Sequence, residues 1–167
     1  KAEVLKKSLK RINPKSKLIS QASRINKRNI SKFLEKYNII LDCSDNFETR
    51  YLVNQYAFQK KKILVSCALQ NFDIQVYTFS SWNNEYNPCY ECIFPKDISR
   101  NTRSCDELGI IAPVAGMGGI FQANAVINII LNKNKQIFRE IILYDCFERI
   151  FKKIQISKNS KCKICKL

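Results

Sequence analysis

Ile39-Ile40-Leu41-Asp42-Cys43-Ser44-Asp45-Asn46 opens the stretch whose reading decides the fold. Residues 39–43 form a short apolar run that turns polar at its end, as a buried parallel strand does at the rim of a sheet. Asp and Asn then precede a helix-period pattern over Phe47–Gln59, with Tyr51, Leu52, Gln55 and Phe58 suitably spaced. A second apolar run, Ile63–Leu69, follows at once. Strand, helix and strand in that order predict a βαβ unit of an open α/β sheet.

Away from this unit the pattern changes. Upstream, Ala2–Ile12 reads as a helix with Leu5, Leu9 and Ile12 on one face, stopped by Asn13-Pro14. Lys17–Ser20 reads as a short strand, and Asn29 as a cap for a helix over Ile30–Lys36. Downstream, Asp73–Phe79, Glu140–Tyr144 and Phe151–Ser157 alternate polar and apolar residues, which predicts half-exposed antiparallel strands. Residues 80–87 and 97–107 read as loops. Residues 108–132 carry no charge and are long enough to span a bilayer, but Gln122, Asn124 and Asn128 are costly in hydrocarbon. A buried helix over Pro113–Leu131 is therefore expected, without stable membrane insertion, its glycines allowing close packing.

Composition bounds the function. The 167 residues are 46% hydrophobic with four Gly and four Pro, so one globular domain with a real core is expected. The net charge of +15 invites a nucleic-acid reading. Against it, the lysines are scattered, no basic aromatic-rich stretch appears, and abundant Ile, Asn, Phe and Tyr match the codon bias of an AT-rich genome. No nucleic-acid partner is expected.

There are eight cysteines and no histidine. Cys89/Cys92 and Cys162/Cys165 are two Cys-x-x-Cys pairs, separated by residues 93–161. Each such turn aims two thiolates at one point, so two turns supply a tetrahedral all-sulfur zinc site that ties the tail to the middle of the chain. The competing readings are two local disulfides or a redox dithiol. Zinc is preferred, in a reducing, cytoplasmic setting. Cys43, Cys67 and Cys146 lie in or beside apolar strands and read as small core residues.

In α/β sheets ligands sit beyond the carboxyl ends of the strands, where Ser44-Asp45-Asn46 falls. A carboxylate there can hold a magnesium ion bridging nucleotide phosphates. Asp45 or Asn46 can equally cap the helix that starts at Phe47. The local sequence supports both.

Several motifs stand in order: Lys1-Ala2-Glu3 running to Ile12-Asn13-Pro14, Leu41-Asp42-Cys43-Ser44-Asp45-Asn46-Phe47-Glu48-Thr49-Arg50, Pro88-Cys89-Tyr90-Glu91-Cys92, Ser104-Cys105-Asp106-Glu107-Leu108-Gly109 and Cys162-Lys163-Ile164-Cys165. This succession resembles the ThiF/MoeB-type adenylyltransferases, relatives of the ubiquitin-activating enzymes. The resemblance implies an α/β fold: a partial Rossmann-like domain followed by antiparallel strands and a zinc knuckle of four cysteines. It also implies ATP- and Mg2+-dependent adenylation of the C-terminal glycine of a ubiquitin-like sulfur-carrier protein, for thiamine or molybdopterin synthesis. Lys1 matches the lysine that contacts ATP phosphates, Asp45 the aspartate that engages magnesium, and Cys105 a cysteine that some members use covalently. Cys105 as a bystander remains an equal alternative.

On the same resemblance, residues 1–71 would be part of the nucleotide-binding half and residues 72–167 the carrier-binding, zinc-bearing half. The family's amino-terminal third, with its Gly-rich loop, has no counterpart in the sequence, and Gly116-Met117-Gly118-Gly119 does not replace it. The chain is thus expected to be weakly active or inactive alone, with an open sheet edge. Two chains are expected to pair as a homodimer. A non-catalytic, zinc-stapled module that binds a ubiquitin-like partner is the competing reading.

Overall fold

The computed structural model describes residues 1–96, 109–132 and 135–166. Its centre is a five-stranded sheet in chain order: β1 (Ile39–Asp42), β2 (Ile63–Gln70), β3 (Asp73–Phe79), β4 (Glu140–Asp145) and β5 (Ile150–Gln155). β1 and β2 are parallel, with Asp42 opposite Ser66, and α3 (Phe47–Gln59) makes the crossover. The remaining pairs are antiparallel. Parallel strands cannot be joined by a tight turn, so the expected helix is there; β2 and β3 need only Asn71-Phe72, with Asn71 at φ 53°.

Both faces of the central strands β2 and β3 are covered, whereas β5 is exposed along its length. Leu64, Tyr77 and Phe79 point to one side and pack with Ile30, Val53, Tyr56 and Tyr90, contributed by α2 (Ile30–Leu34), α3 and α4 (Tyr90–Ile93). Val65, Cys67, Ile74 and Val76 point to the other, against Val114 and Ala125 of α5 (Ala112–Ile130). This two-sided burial explains why β2 reads as a continuous apolar run. β1 pairs with β2 alone among the described residues, which leaves its outer edge open.

Some expectations are corrected. Lys17–Ser20 is not a strand; Ile19 is exposed and no ladder lies beside it among the described residues, so a short apolar pair does not make a strand without a neighbour to bond. α1 (Ala2–Ile12) forms as predicted yet buries no residue, and Leu5 and Ile12 lie on its surface. Asn29 occupies the N-cap position of α2, but its side chain turns back to Asn26 N and Arg24 O instead of capping. α5 is long and apolar enough to cross a bilayer. In the fold one face packs on the sheet through Val114, Gly118, Gln122 and Ala125, whereas Ile120, Ile127 and Ile130 are exposed, so it is buried on one side only.

Close packing needs glycine only at Gly118. A Cβ there would lie 2.7 Å from Leu69 Cδ2 and 3.2 Å from Cys67 Sγ, while at Gly116 and Gly119 it would meet nothing within 4 Å. Gly118→Val should therefore cost about 1–3 kcal/mol. Gly119→Ala should be neutral or stabilise by up to about 1 kcal/mol. Urea midpoints of the two variants check this; equal effects would contradict the packing account.

Candidate active site and metal centre

At the carboxyl end of β1 the chain turns through Ser44-Asp45-Asn46 into α3. Asn46 is the N-cap, its Oδ1 accepting from Thr49 N at 2.9 Å. Capping is thus done by the neighbour, and the Asp45 carboxylate is free of it. Asp45 is exposed and accepts from Asn46 Nδ2 at 3.0 Å. That bond is the main reason its carboxyl lies below the ordinary aspartate range; the charges of Arg50 and Lys1 add to it. Lys1, exposed at the N-cap of α1, is therefore within electrostatic reach of Asp45. Cys105 lies outside the described residues.

Beneath this turn is a buried network that sequence reasoning missed. Asp42, 5% exposed, closes β1. Its Oδ1 accepts from Ser44 N at 3.0 Å and Ser44 Oγ at 2.6 Å, and its Oδ2 from Ser66 Oγ at 3.0 Å. Arg50, 7% exposed on α3, lies 3.7 Å from Asp42 Oδ2. Its Nη1 donates to Ser66 Oγ at 3.0 Å, and its Nη2 to Ser44 O and to Cys67 O, the latter at 3.1 Å. From the opposite face Gln122 Nε2 donates to Asp42 O at 3.2 Å and Val65 O at 2.9 Å. The only linear signal was an acid ending an apolar strand and an arginine in the next helix.

Cys43 corrects an expectation. β1 ends before it, so it is exposed rather than a core residue, and its Sγ donates to Gln122 Oε1 at 3.1 Å. The residue is exposed as a whole, but its sulfur is turned toward Gln122 and partly withdrawn from water, which raises its thiol above the ordinary range. Cys67 is buried as expected, which pushes its thiol up to about 11, and Cys146 is half-buried. A cavity of about 800 Å³ opens beside the outer face of α3, lined by Arg24, Arg28, Glu48, Leu52 and Lys96 among others. Asp45 is not part of its lining.

The two Cys-x-x-Cys pairs do meet. All four Sγ atoms lie within 4.8 Å of one another, and Cys89, Cys162 and Cys165 are buried. Cys89 Sγ is 3.9 Å from Cys92 Sγ and 3.6 Å from Cys162 Sγ, and Cys92 Sγ is 3.3 Å from Cys165 Sγ. A zinc ion with Zn–S bonds near 2.3 Å sets sulfurs about 3.8 Å apart, so the donor set fits a closed tetrahedral site. Two local disulfides do not fit, because the shorter contacts run between the pairs. Helix α3 supports the knuckle: Asn54, 2% exposed, accepts from Tyr90 N at 3.0 Å and directs Nδ2 at Cys89 Sγ, 3.7 Å away. Crowding makes the thiol protons interdependent. Bonding from Cys165 and Cys89 lowers Cys92, whereas bonding with Cys165 and Cys92 raises Cys89. A central cation would replace those shared protons.

Residues 1–164 match the ThiF family. The chain belongs to that family. Among its ThiF relatives, the sulfur carrier protein adenylyltransferase of Thermus thermophilus is 34% identical, the match covering 99% of this chain and 62% of the relative. The molybdopterin-synthase adenylyltransferase of Escherichia coli is 28% identical over 99% of this chain and 65% of its own length. The chain thus spans less than two thirds of either relative. The fold is shared with E. coli MccB crystallised with ATP, at a TM-score of 0.77 and 18% identity over 98% of this chain and 50% of that one.

Two outcomes are expected at the β1 turn. Asn46→Ala should cost about 1 kcal/mol, read from urea unfolding. It should also raise the midpoint of the Asp45 13Cγ titration. With the folded carboxyl depressed, its contribution to stability is present above the unfolded-state value and is lost as pH falls through the folded one. An unmoved midpoint in Asn46→Ala would contradict the assigned bond.

Proposed function

We propose that the protein, completed by the family's amino-terminal region, adenylates the C-terminal glycine of a ubiquitin-like sulfur-carrier protein. The observation that carries this reading is the uncapped Asp45 carboxylate beyond a parallel strand, within reach of the Lys1 charge, in a chain that matches the ThiF family over residues 1–164. The names of the relatives support the choice of substrate.

In the reaction a carboxylate oxygen of the glycine attacks the α-phosphorus of ATP. The bond from that phosphorus to the bridging oxygen breaks, and pyrophosphate leaves with the electron pair. The acyl-adenylate that remains is open to attack by sulfur. Little covalent chemistry is asked of the protein; placing two anions together and balancing the charge on pyrophosphate are the demands. Lys1 binds phosphate oxygens, and Asp45 would hold a magnesium ion, which would supply positive charge at the phosphates. Cys105 is assigned the covalent or sulfur-relay role seen in some members. Pairing of two chains and a reducing, cytoplasmic setting complete the reading, the latter fitting four zinc-bound thiolates.

ATP–pyrophosphate exchange, measured on a version joined to the family's amino-terminal region, tests the proposal. Exchange should require a carrier ending in Gly-Gly and fall about 100-fold or more in Asp45→Ala and in Lys1→Ala. Carrier capture without exchange, unchanged in both variants, would sink it and favour a non-catalytic docking module.

The zinc assignment is tested separately. Native mass spectrometry should find about one zinc per chain, with Cys89→Ser and Cys165→Ser losing the metal and melting at lower temperature. A metal-free wild-type chain would overturn it.

A further inference from the structure

We infer that Arg50 is a positioning residue for the Asp45 carboxylate and does not itself hold the nucleotide. This deepens the adenylation reading and rests on it. An arginine one turn into the helix that follows a candidate phosphate site is the obvious anion ligand, since its planar fork suits phosphate. The geometry points elsewhere. Arg50 is 7% exposed and its two terminal nitrogens are occupied: Nη1 by Ser66 Oγ and the nearby Asp42 carboxylate, Nη2 by Ser44 O and Cys67 O. Three of the five guanidinium N–H donors are spent on protein oxygens and Asp42 supplies the balancing charge, so the group is buried and neutralised rather than presented to a ligand.

These bonds pin the residues on either side of Asp45. Ser44 is held at its N and Oγ by Asp42 and at its O by Arg50. Asn46 is held at Oδ1 by Thr49 N, and its O accepts from Arg50 N at 3.3 Å. Asp45 therefore stands on a short backbone bridge fixed at both ends, its carboxylate alone facing outward. Ser66 ties the same network to β2. The arrangement is rigid because the guanidinium is planar and reaches three oxygens, one just past the end of β1 and two in the middle of β2. A lysine ammonium keeps the charge but cannot span these acceptors in one plane. Charge and positioning can thus be separated by experiment.

The test has two arms. On the chain itself, NMR amide exchange is compared in wild type, Arg50→Lys and the milder Ser66→Ala. Arg50→Lys should speed exchange of the Ser44 and Thr49 amides about tenfold while leaving β3 amides such as Val76 unchanged. Ser66→Ala, which keeps the arginine, should move the same two amides in the same direction. Unaltered Ser44 and Thr49 amides, or equal acceleration across the sheet, would overturn the inference. In the second arm pyrophosphate exchange is followed in the version joined to the amino-terminal region. Arg50→Lys should lower kcat about 10- to 100-fold with the KM for ATP nearly unchanged, and should add almost nothing in the Asp45→Ala background. Full multiplication of the two effects would mean that Arg50 acts on the nucleotide directly, and the inference fails alone. Undiminished exchange in Asp45→Ala would remove the reading and the inference together.

Discussion

The buried pair of Asp42 and Arg50 is the constraint on which the active end of this fold depends. Two charges out of water are tolerated because each is surrounded by hydrogen bonds, and removing one partner of such a pair typically costs about 3–5 kcal/mol. The pair joins the end of β1, the start of α3 and the middle of β2. Gln122 bonds the end of β1 and the middle of β2 from the other side of the sheet. The β1–α3–β2 unit is thereby locked around the turn that follows β1. Asp45 owes its placement in large part to the buried residues Asp42, Arg50 and Ser66.

A second constraint works midway along α3. Asn54 joins the helix to the first cysteine turn, and the four sulfurs join that turn to the tail of the chain. One helix therefore carries both features: its first turns fix the β1 loop, and its middle fixes the knuckle. This explains why α3 buries polar residues such as Arg50 and Asn54 beside Val53 and Tyr56. Its inward face is a set of connections rather than a simple apolar stripe.

Much of this was legible in the sequence, for physical reasons that differ by element. The βαβ unit was readable because parallel strands buried on both faces leave uninterrupted apolar runs. The sulfur cluster was readable because two Cys-x-x-Cys turns in a histidine-free chain have few other uses. The strand expected at Lys17–Ser20 failed because a short apolar pair says nothing about a partner strand. Cys43 failed through a boundary error of one residue, enough to move it off the sheet. The Asp42–Arg50–Ser66 network was invisible because it depends on the register that sets Asp42 opposite Ser66. No local pattern carries register. The choice between Asp45 and Asn46 as cap likewise needed the backbone.

On the proposed adenylation reading, metal and nucleotide meet at the turn after β1. Paramagnetic line broadening by Mn2+-ATP, added to the 15N-labelled version joined to the amino-terminal region, reports that location most directly. Selective broadening of the Asp45 and Asn46 amides, lost in Asp45→Ala, is the predicted result. Broadening centred on the basic cavity around Arg24 and Arg28, with the β1 turn unaffected, would contradict it.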